Sequence, residues 1–76
     1  MSSLVTQMFV AERYGLRLSV DQLAKVLSIT PPAIYNQVSK GTFPIATYVE
    51  SGKRWADYRA VAEHFDACAE RAKAAA

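Results

Sequence analysis

The hydrophobic positions of the chain follow a helical spacing in four segments, with an alternating segment before the last of them. The two middle segments lie close together, over about residues 19–40, and predict a helix-turn-helix. The apolar residues that recur on one face of its first helix are Val20, Leu23, Ala24 and Leu27. Because the junction between the two helices is short, they must cross sharply, with Ile29 and Ile34 between them.

Capping residues support the start of both helices. Ser19 and Gln22 have the spacing of a capping box, in which each side chain bonds the backbone N–H of the other residue. Thr30 is a suitable N-cap for the second helix. Pro31 suits its first position, because an N–H there has no partner within the helix.

The outer segments predict one helix each. Residues 3–14 place Leu4, Val5, Met8 and Phe9 on one face, which we interpret as packing against the core, and Gly15 ends this helix. Residues 16–18 form an extended link that can pair as a small strand. A closing helix is predicted over about residues 57–73, with Asp57 as N-cap. Its inward-facing positions are Tyr58, Val61, Phe65, Cys68 and Ala72.

The alternating segment predicts a β-hairpin over about residues 43–56, with Ser51 and Gly52 as its two turn residues. This register pairs Tyr48 with Trp55, Val49 with Arg54, and Glu50 with Lys53. We expect Tyr48 and Trp55 to pack toward the core. The polar residues left to face a partner are then Thr47, Lys53 and Arg54.

Composition indicates one small folded domain with a basic middle section. The chain has 76 residues, of which 51% are hydrophobic and 21% charged. The net charge is only +2, but residues 13–59 hold seven basic and three acidic residues. A basic section around a helix-turn-helix is typical of phosphate contact. The single Cys68 and the lack of a leader or a long apolar run predict a cytoplasmic protein without a membrane segment.

No pattern in the chain is typical of an enzyme or a cofactor site. His64 and Cys68 lie four residues apart on the closing helix, but two ligands do not make a zinc site. A glycine-rich phosphate loop, a nucleophile elbow and a carboxylate pair are all missing from the sequence. We therefore expect no catalytic residue, no metal and no cofactor.

The order of the elements is helix, helix-turn-helix, two-stranded ribbon, helix. It predicts a mainly α fold with a small β-hairpin, a single winged helix-turn-helix DNA-binding domain over residues 1–76. In such a domain the second helix of the pair enters the major groove, and the basic ribbon lies on the backbone or in the minor groove. An open alternative is a protein–protein interaction module that retains the fold without a DNA function.

A family resemblance extends from Leu18 to about Phe65. It is carried by LSVDQLAKVLSITPPAIYNQVSKGTFP, by GKRW and by the closing helix. In these residues the chain resembles the winged helix-turn-helix family of excisionases, which is related to the DNA-binding domains of MerR-type regulators. Its TQMFVAERYGLRLSVDQLA is also similar to pyocin-activator-like prophage regulators. Ser28 stands where the family often has glycine, so it must tolerate the turn conformation.

The resemblance implies that the second helix reads double-stranded DNA. The residues that stand at the family's DNA-contacting positions are Thr30, Pro32, Ala33, Tyr35, Asn36 and Lys40. Asn36 is the best base reader, because its amide can bond adenine N6 and N7 together, whereas Lys40 suits phosphate. Tyr35 is left open between a phosphate, a thymine methyl group and packing under the wing. Pro31 and Pro32 have no N–H to donate. We therefore expect the residues that contact bases to lie past the helix start, and Thr30 to serve more as a cap than as a DNA contact.

The resemblance also implies a role in a prophage or another mobile element. An excisionase would work with an integrase in recombination, and a small transcriptional regulator with RNA polymerase. Because one small domain covers a short site, we also expect self-association on DNA through the N-terminal or the closing helix. Arg17 and Arg59 are weaker DNA candidates, for which pairing with Asp21 or Asp57 is the simpler interpretation.

Overall fold

A computed structural model describes residues 3–75, in which helices dominate and three short strands form one antiparallel sheet. In chain order the elements are α1 (Leu4–Tyr14), β1 (Arg17–Ser19), α2 (Val20–Leu27), α3 (Pro31–Lys40), β2 (Tyr48–Glu50), β3 (Lys53–Asp57) and α4 (Tyr58–Ala75). The expected mainly α fold with a β-hairpin is confirmed at this level. Met1, Ser2 and Ala76, which the predicted domain includes, lie outside the described residues.

The junction between α2 and α3 has the predicted caps. Ser19 and Gln22 form the capping box at the start of α2. Ser28 ends α2 in the left-handed conformation, at φ 58° and ψ 39°. The Thr30 hydroxyl accepts from the backbone N–H of Ala33 at 3.3 Å and caps α3.

The sheet has one strand more than the predicted ribbon, because the link predicted over residues 16–18 does pair as a small strand, β1. The hairpin register is confirmed, with Tyr48 opposite Trp55 and a two-residue turn at the end of the ribbon. On its other side β3 pairs with β1, where Leu18 faces Ala56 and Ser19 faces Trp55. The sheet order is therefore β1-β3-β2. Because β1 leads directly into α2, this pairing connects the ribbon to the start of the helix pair.

The expectation that Tyr48 and Trp55 pack toward the core is wrong. Leu18 and Ala56 are fully buried and lie opposite each other, so they define the inner face of the sheet. Because side chains alternate along a strand, Trp55 lies on the outer face, and its partner Tyr48 is 41% exposed. Arg54 shares the inner face with Ala56.

The core lies between α2, α3, α4 and the inner face of the sheet. Its fully buried large side chains are Leu18, Leu23, Ile34 and Val61. Small residues let the elements approach closely, among them Ala24, Ala56 and Ala62. On α4 the predicted inward face is right for Val61, but Phe65 is 36% exposed, and Ala62 is buried in its place.

The predicted core face of α1 is also wrong. Leu4, Val5, Met8 and Phe9 are all more than 60% exposed. The helix packs against α4 through the opposite face, where Val10 is buried. Polar contacts help to fix this orientation, since Asp66 of α4 accepts from the Thr6 hydroxyl at 2.8 Å and from the Ser3 backbone N–H at 2.6 Å.

No helix within residues 3–75 combines the length and the apolar character needed to cross a membrane.

Candidate nucleic-acid interface

The outward face of α3 is continuous and polar. Its exposed residues follow each other at spacings of three, one, three and one and are Pro32, Tyr35, Asn36, Ser39 and Lys40. Ile34, on the other side of the helix, is fully buried and anchors α3 in the core. Ala33 is half-buried at the edge of the outward face. Sequence analysis missed Ser39, although its position three residues after Asn36 places it on this face.

The N-terminus of α3 has few free donors. Pro31 and Pro32 carry no N–H, and the N–H of Ala33 is bound by the Thr30 hydroxyl. Thr30 lines a hollow beside Lys25, on the side of α3 toward α2. The backbone at this helix start is therefore poorly suited to bind a phosphate, and Thr30 acts as a cap.

The turn between β2 and β3 presents two cations on opposite faces. Ser51 and Gly52 both have positive φ, at 54° and 76°, as expected of the two-residue turn whose twist matches that of the strands. Lys53 follows the turn and is exposed, on the face shared with Trp55. Arg54 lies on the other face and is half-buried.

Arg54 is held in place by Thr47. Its Nη1 donates to the Thr47 hydroxyl at 2.8 Å. Among residues 3–75, this is the hydrogen bond that the Arg54 side chain makes. Both residues line a hollow with Val38 of α3 and Phe43. A guanidinium has five N–H donors, so Thr47 uses only one of them. Thr47 is therefore a positioning residue for Arg54.

One cleft brings candidate residues of α3 and of the ribbon together. It has a volume of about 370 Å³ and lies between α3, the start of α2 and the ribbon. Its lining residues are Ser19, Val20, Asp21, Tyr35, Gly52, Lys53, Arg54 and Trp55. Sequence analysis missed the wall formed by residues 19–21, because it depends on the pairing of β1 with β3. The carboxylate of Asp21 lowers the net positive charge that Lys53 and Arg54 bring to this cleft.

Two further arginines already have carboxylate partners. Arg59 pairs with Asp57 at 3.0 Å, as expected. Arg17 pairs with Glu50 at 3.0 Å, and not with Asp21 or Asp57. Hydrogen bonding to Glu50, above all, raises the pKa of Arg17 above its ordinary value. Both charges are thus partly compensated within the protein.

The His64–Cys68 pair lies apart from this cleft, on α4. The two side chains approach to 3.6 Å between Nε2 and Sγ, and Arg71 donates to the same sulfur at 3.1 Å. Within residues 3–75, no three His, Cys, Asp or Glu residues are grouped as a metal site requires.

No protein-family model, curated protein or solved structure matches this chain. The candidate interface is thus defined by its own residues: the outward face of α3, the Lys53–Arg54 ribbon and the cleft between them.

Proposed function

We propose that this chain is a cytoplasmic, sequence-specific double-stranded DNA-binding protein with a winged helix-turn-helix fold. Its α3 lies in the major groove, and its β2–β3 ribbon, the wing, lies on the backbone or in the minor groove. The observation that carries the proposal is the cleft in which Tyr35 of α3 adjoins Lys53 and Arg54 of the ribbon. A reading helix and a basic wing must lie side by side to engage neighbouring grooves.

The outward face of α3 suits base contact. Asn36 is exposed and can bond adenine N6 and N7, a contact worth about 1–3 kcal/mol of discrimination. Pro32 and Ala33 offer apolar contact to thymine methyl groups. Lys40 and the hydroxyl of Ser39 continue this face toward the phosphate backbone, where Lys40 adds affinity without sequence information.

The wing supplies the less selective contacts. Lys53 is exposed beside the turn, so it can meet a phosphate directly. Arg54 is pre-oriented by Thr47, which lowers the entropy lost when its guanidinium binds. A guanidinium in this place suits either a phosphate clamp or a narrow minor groove.

The biological setting of the proposal is a prophage or another mobile element, on the strength of the resemblance to excisionases. An excisionase bends DNA so that an integrase can assemble, and a transcriptional regulator blocks or recruits RNA polymerase. Both roles use the same surfaces. The neighbouring genes distinguish them, because an adjacent integrase gene favours excision.

Salt-dependent DNA binding is the direct test of the function. Affinity for a random duplex, followed by fluorescence anisotropy, is expected to fall as the salt concentration rises, since phosphate contacts release counterions. Lys53→Ala should lower the slope of log K against log salt by about one. Lys73→Ala is the matched control, because it removes the same charge near the end of α4, next to Glu70. It should leave the slope unchanged.

Two results would reject the proposal: no binding at low salt, or binding that does not respond to salt. Either result would favour the alternative, a protein-interaction module that retains this fold.

A further inference from the structure

The exposed face of α1 carries an apolar stripe, formed by Leu4, Val5, Met8 and Phe9. Their exposed fractions are 70%, 64%, 61% and 72%. By helical spacing they share one face with Glu12, opposite the face that packs on α4. Large apolar side chains gathered in this way on a surface mark an interaction site more often than isolated ones do.

The α1 stripe is large enough for a weak specific interface. A large apolar side chain that is two-thirds exposed presents roughly 100–150 Å². The four side chains together then offer on the order of 500 Å² per protomer. If both were covered completely, two such surfaces would bury at most about 1,000 Å² in total, the lower limit for a specific protein–protein interface.

The α1 stripe is also self-complementary. Met8 lies midway between Leu4 and Glu12, so antiparallel pairing about a two-fold axis at Met8 places each Leu4 beside the partner's Glu12. The first turn of α1 has no acidic residue. The Glu12 carboxylate of one copy would therefore lie near the positive end of the other copy's helix, which is a favourable arrangement.

The charges of α1 disfavour a lipid surface as the occupant. Helices that lie on membranes carry several Lys or Arg residues on their polar face. In α1 the one basic residue is Arg13, next to Glu12.

We propose that the α1 stripe is the interface with a second copy of this chain, paired antiparallel about Met8. The stripe leaves the candidate DNA interface open, because α1 packs mainly on α4 whereas α3 packs on α2. This inference goes beyond the proposed function and does not rest on it, since the pairing is expected without DNA. If DNA binding holds as well, the dimer presents two reading helices.

Sedimentation equilibrium of the full chain without DNA tests the proposal. The wild type should pass from monomer to dimer between micromolar and sub-millimolar concentrations, the range that a small interface implies. Met8→Lys places two lysines at the axis and should weaken the dimer by about tenfold or more. Val49→Lys is the matched control, because Val49 is 59% exposed but lies in β2. It should leave the dimer intact.

Circular dichroism confirms that each variant is folded, which is expected because both positions are exposed. A wild type that stays monomeric throughout this range would overturn the proposal. A dimer that survives Met8→Lys would also overturn it and would assign self-association to another surface.

Disulfide trapping tests the geometry independently. In a Cys68→Ala background, Met8→Cys should form a covalent dimer on mild oxidation, since residues at a two-fold axis meet their own copies. Val49→Cys in the same background should not form one at a comparable rate. Equal trapping of the two variants would contradict pairing about Met8.

Discussion

The guanidinium carbon of Arg17 lies 3.8 Å from the centre of the Trp55 ring, in a cation–π contact on the outer face of the sheet. The same side chain donates to Glu50 Oε1 at 3.0 Å. Since Arg17 belongs to β1, Trp55 to β3 and Glu50 to β2, one side chain connects all three strands. The ribbon is thereby fixed against β1, which continues directly into α2.

Removing this contact should expose the indole ring. Trp55 is the single tryptophan of the chain, so its fluorescence reports on this face of the sheet without interference. We expect Arg17→Ala to shift its emission to longer wavelength, because the ring loses its cover, and to lower Tm by a few degrees. Arg59→Ala is the control, since Arg59 lies over Tyr58 and leaves Trp55 covered. An unshifted emission of Arg17→Ala would show that Arg17 does not cover the ring in solution.

The helix ends and the hairpin register could be predicted because they depend on neighbours in sequence. The capping box of Ser19 and Gln22 spans four residues, and a two-residue turn leaves one register for the hairpin. The faces that the elements turn toward the core could not be predicted in the same way. The orientation of α1 depends on Asp66, 60 residues after Thr6.

The same division applies to the candidate site. The exposed face of α3 is local in sequence, so Asn36 and Lys40 were named in advance from the family resemblance, and helical periodicity alone could have added Ser39. The inner face of the sheet depends on the pairing of Leu18 with Ala56, which no local pattern encodes. For that reason the outward position of Trp55 and the α2 wall of the cleft were not predicted and became evident only from the structure.

Ser28 ends α2 in a conformation that favours glycine. Its N–H donates to the carbonyl of Lys25 and that of Ile29 to Ala24, the hydrogen bonds of a Schellman motif. Relief of the left-handed strain in Ser28→Gly outweighs the added freedom of the unfolded chain. We expect the free energy of unfolding to rise by about 0.5–1 kcal/mol, measured by urea denaturation.

The end of α3 provides the reverse experiment. Gly41 has the same motif with φ 72°, and a Cβ added there would meet no atom within 4 Å. Gly41→Ser should therefore cause no clash, and its left-handed strain, partly offset by the reduced freedom of the unfolded chain, should destabilise the fold by a similar amount. Changes of the same sign in the two variants would contradict this explanation.

Acid should weaken the start of α4. Asp57 accepts from the side chain of Arg59 at 3.0 Å and from its backbone N–H at 2.7 Å. Chiefly through the side-chain bond, Arg59 holds the pKa of Asp57 below its ordinary value. Because its pKa is lower in the folded state, the ionised Asp57 carboxylate stabilises the fold at pH values above its pKa in the unfolded chain. This contribution is lost as the pH falls through the lower pKa of the folded state.

Comparison of the wild type with Asp57→Asn isolates that contribution, because asparagine still caps a helix but does not titrate. The difference in unfolding free energy should be constant near neutral pH and should shrink below about pH 4. It should be small, since both partners are at least one-third exposed. A difference that stays constant into acid would show that the ionised carboxylate adds nothing beyond the cap.

The last prediction separates base reading from backbone contact within the proposed DNA interface. Asn36→Ala removes an amide from the outward face of α3. It should reduce the preference for the target site over a random duplex by about 1–3 kcal/mol, with little change on random DNA.

Arg54→Ala removes a charge from the wing and should weaken binding to both duplexes alike, with a salt slope lower by about one. Thr47→Val keeps the charge but deletes the hydroxyl that holds Arg54 at 2.8 Å. It should therefore weaken both duplexes with an unchanged slope, because Arg54 loses its orientation and not its charge. Anisotropy with a footprinted site and a scrambled duplex measures all three variants, and equal, non-selective losses from Asn36→Ala and Arg54→Ala would refute this division of roles.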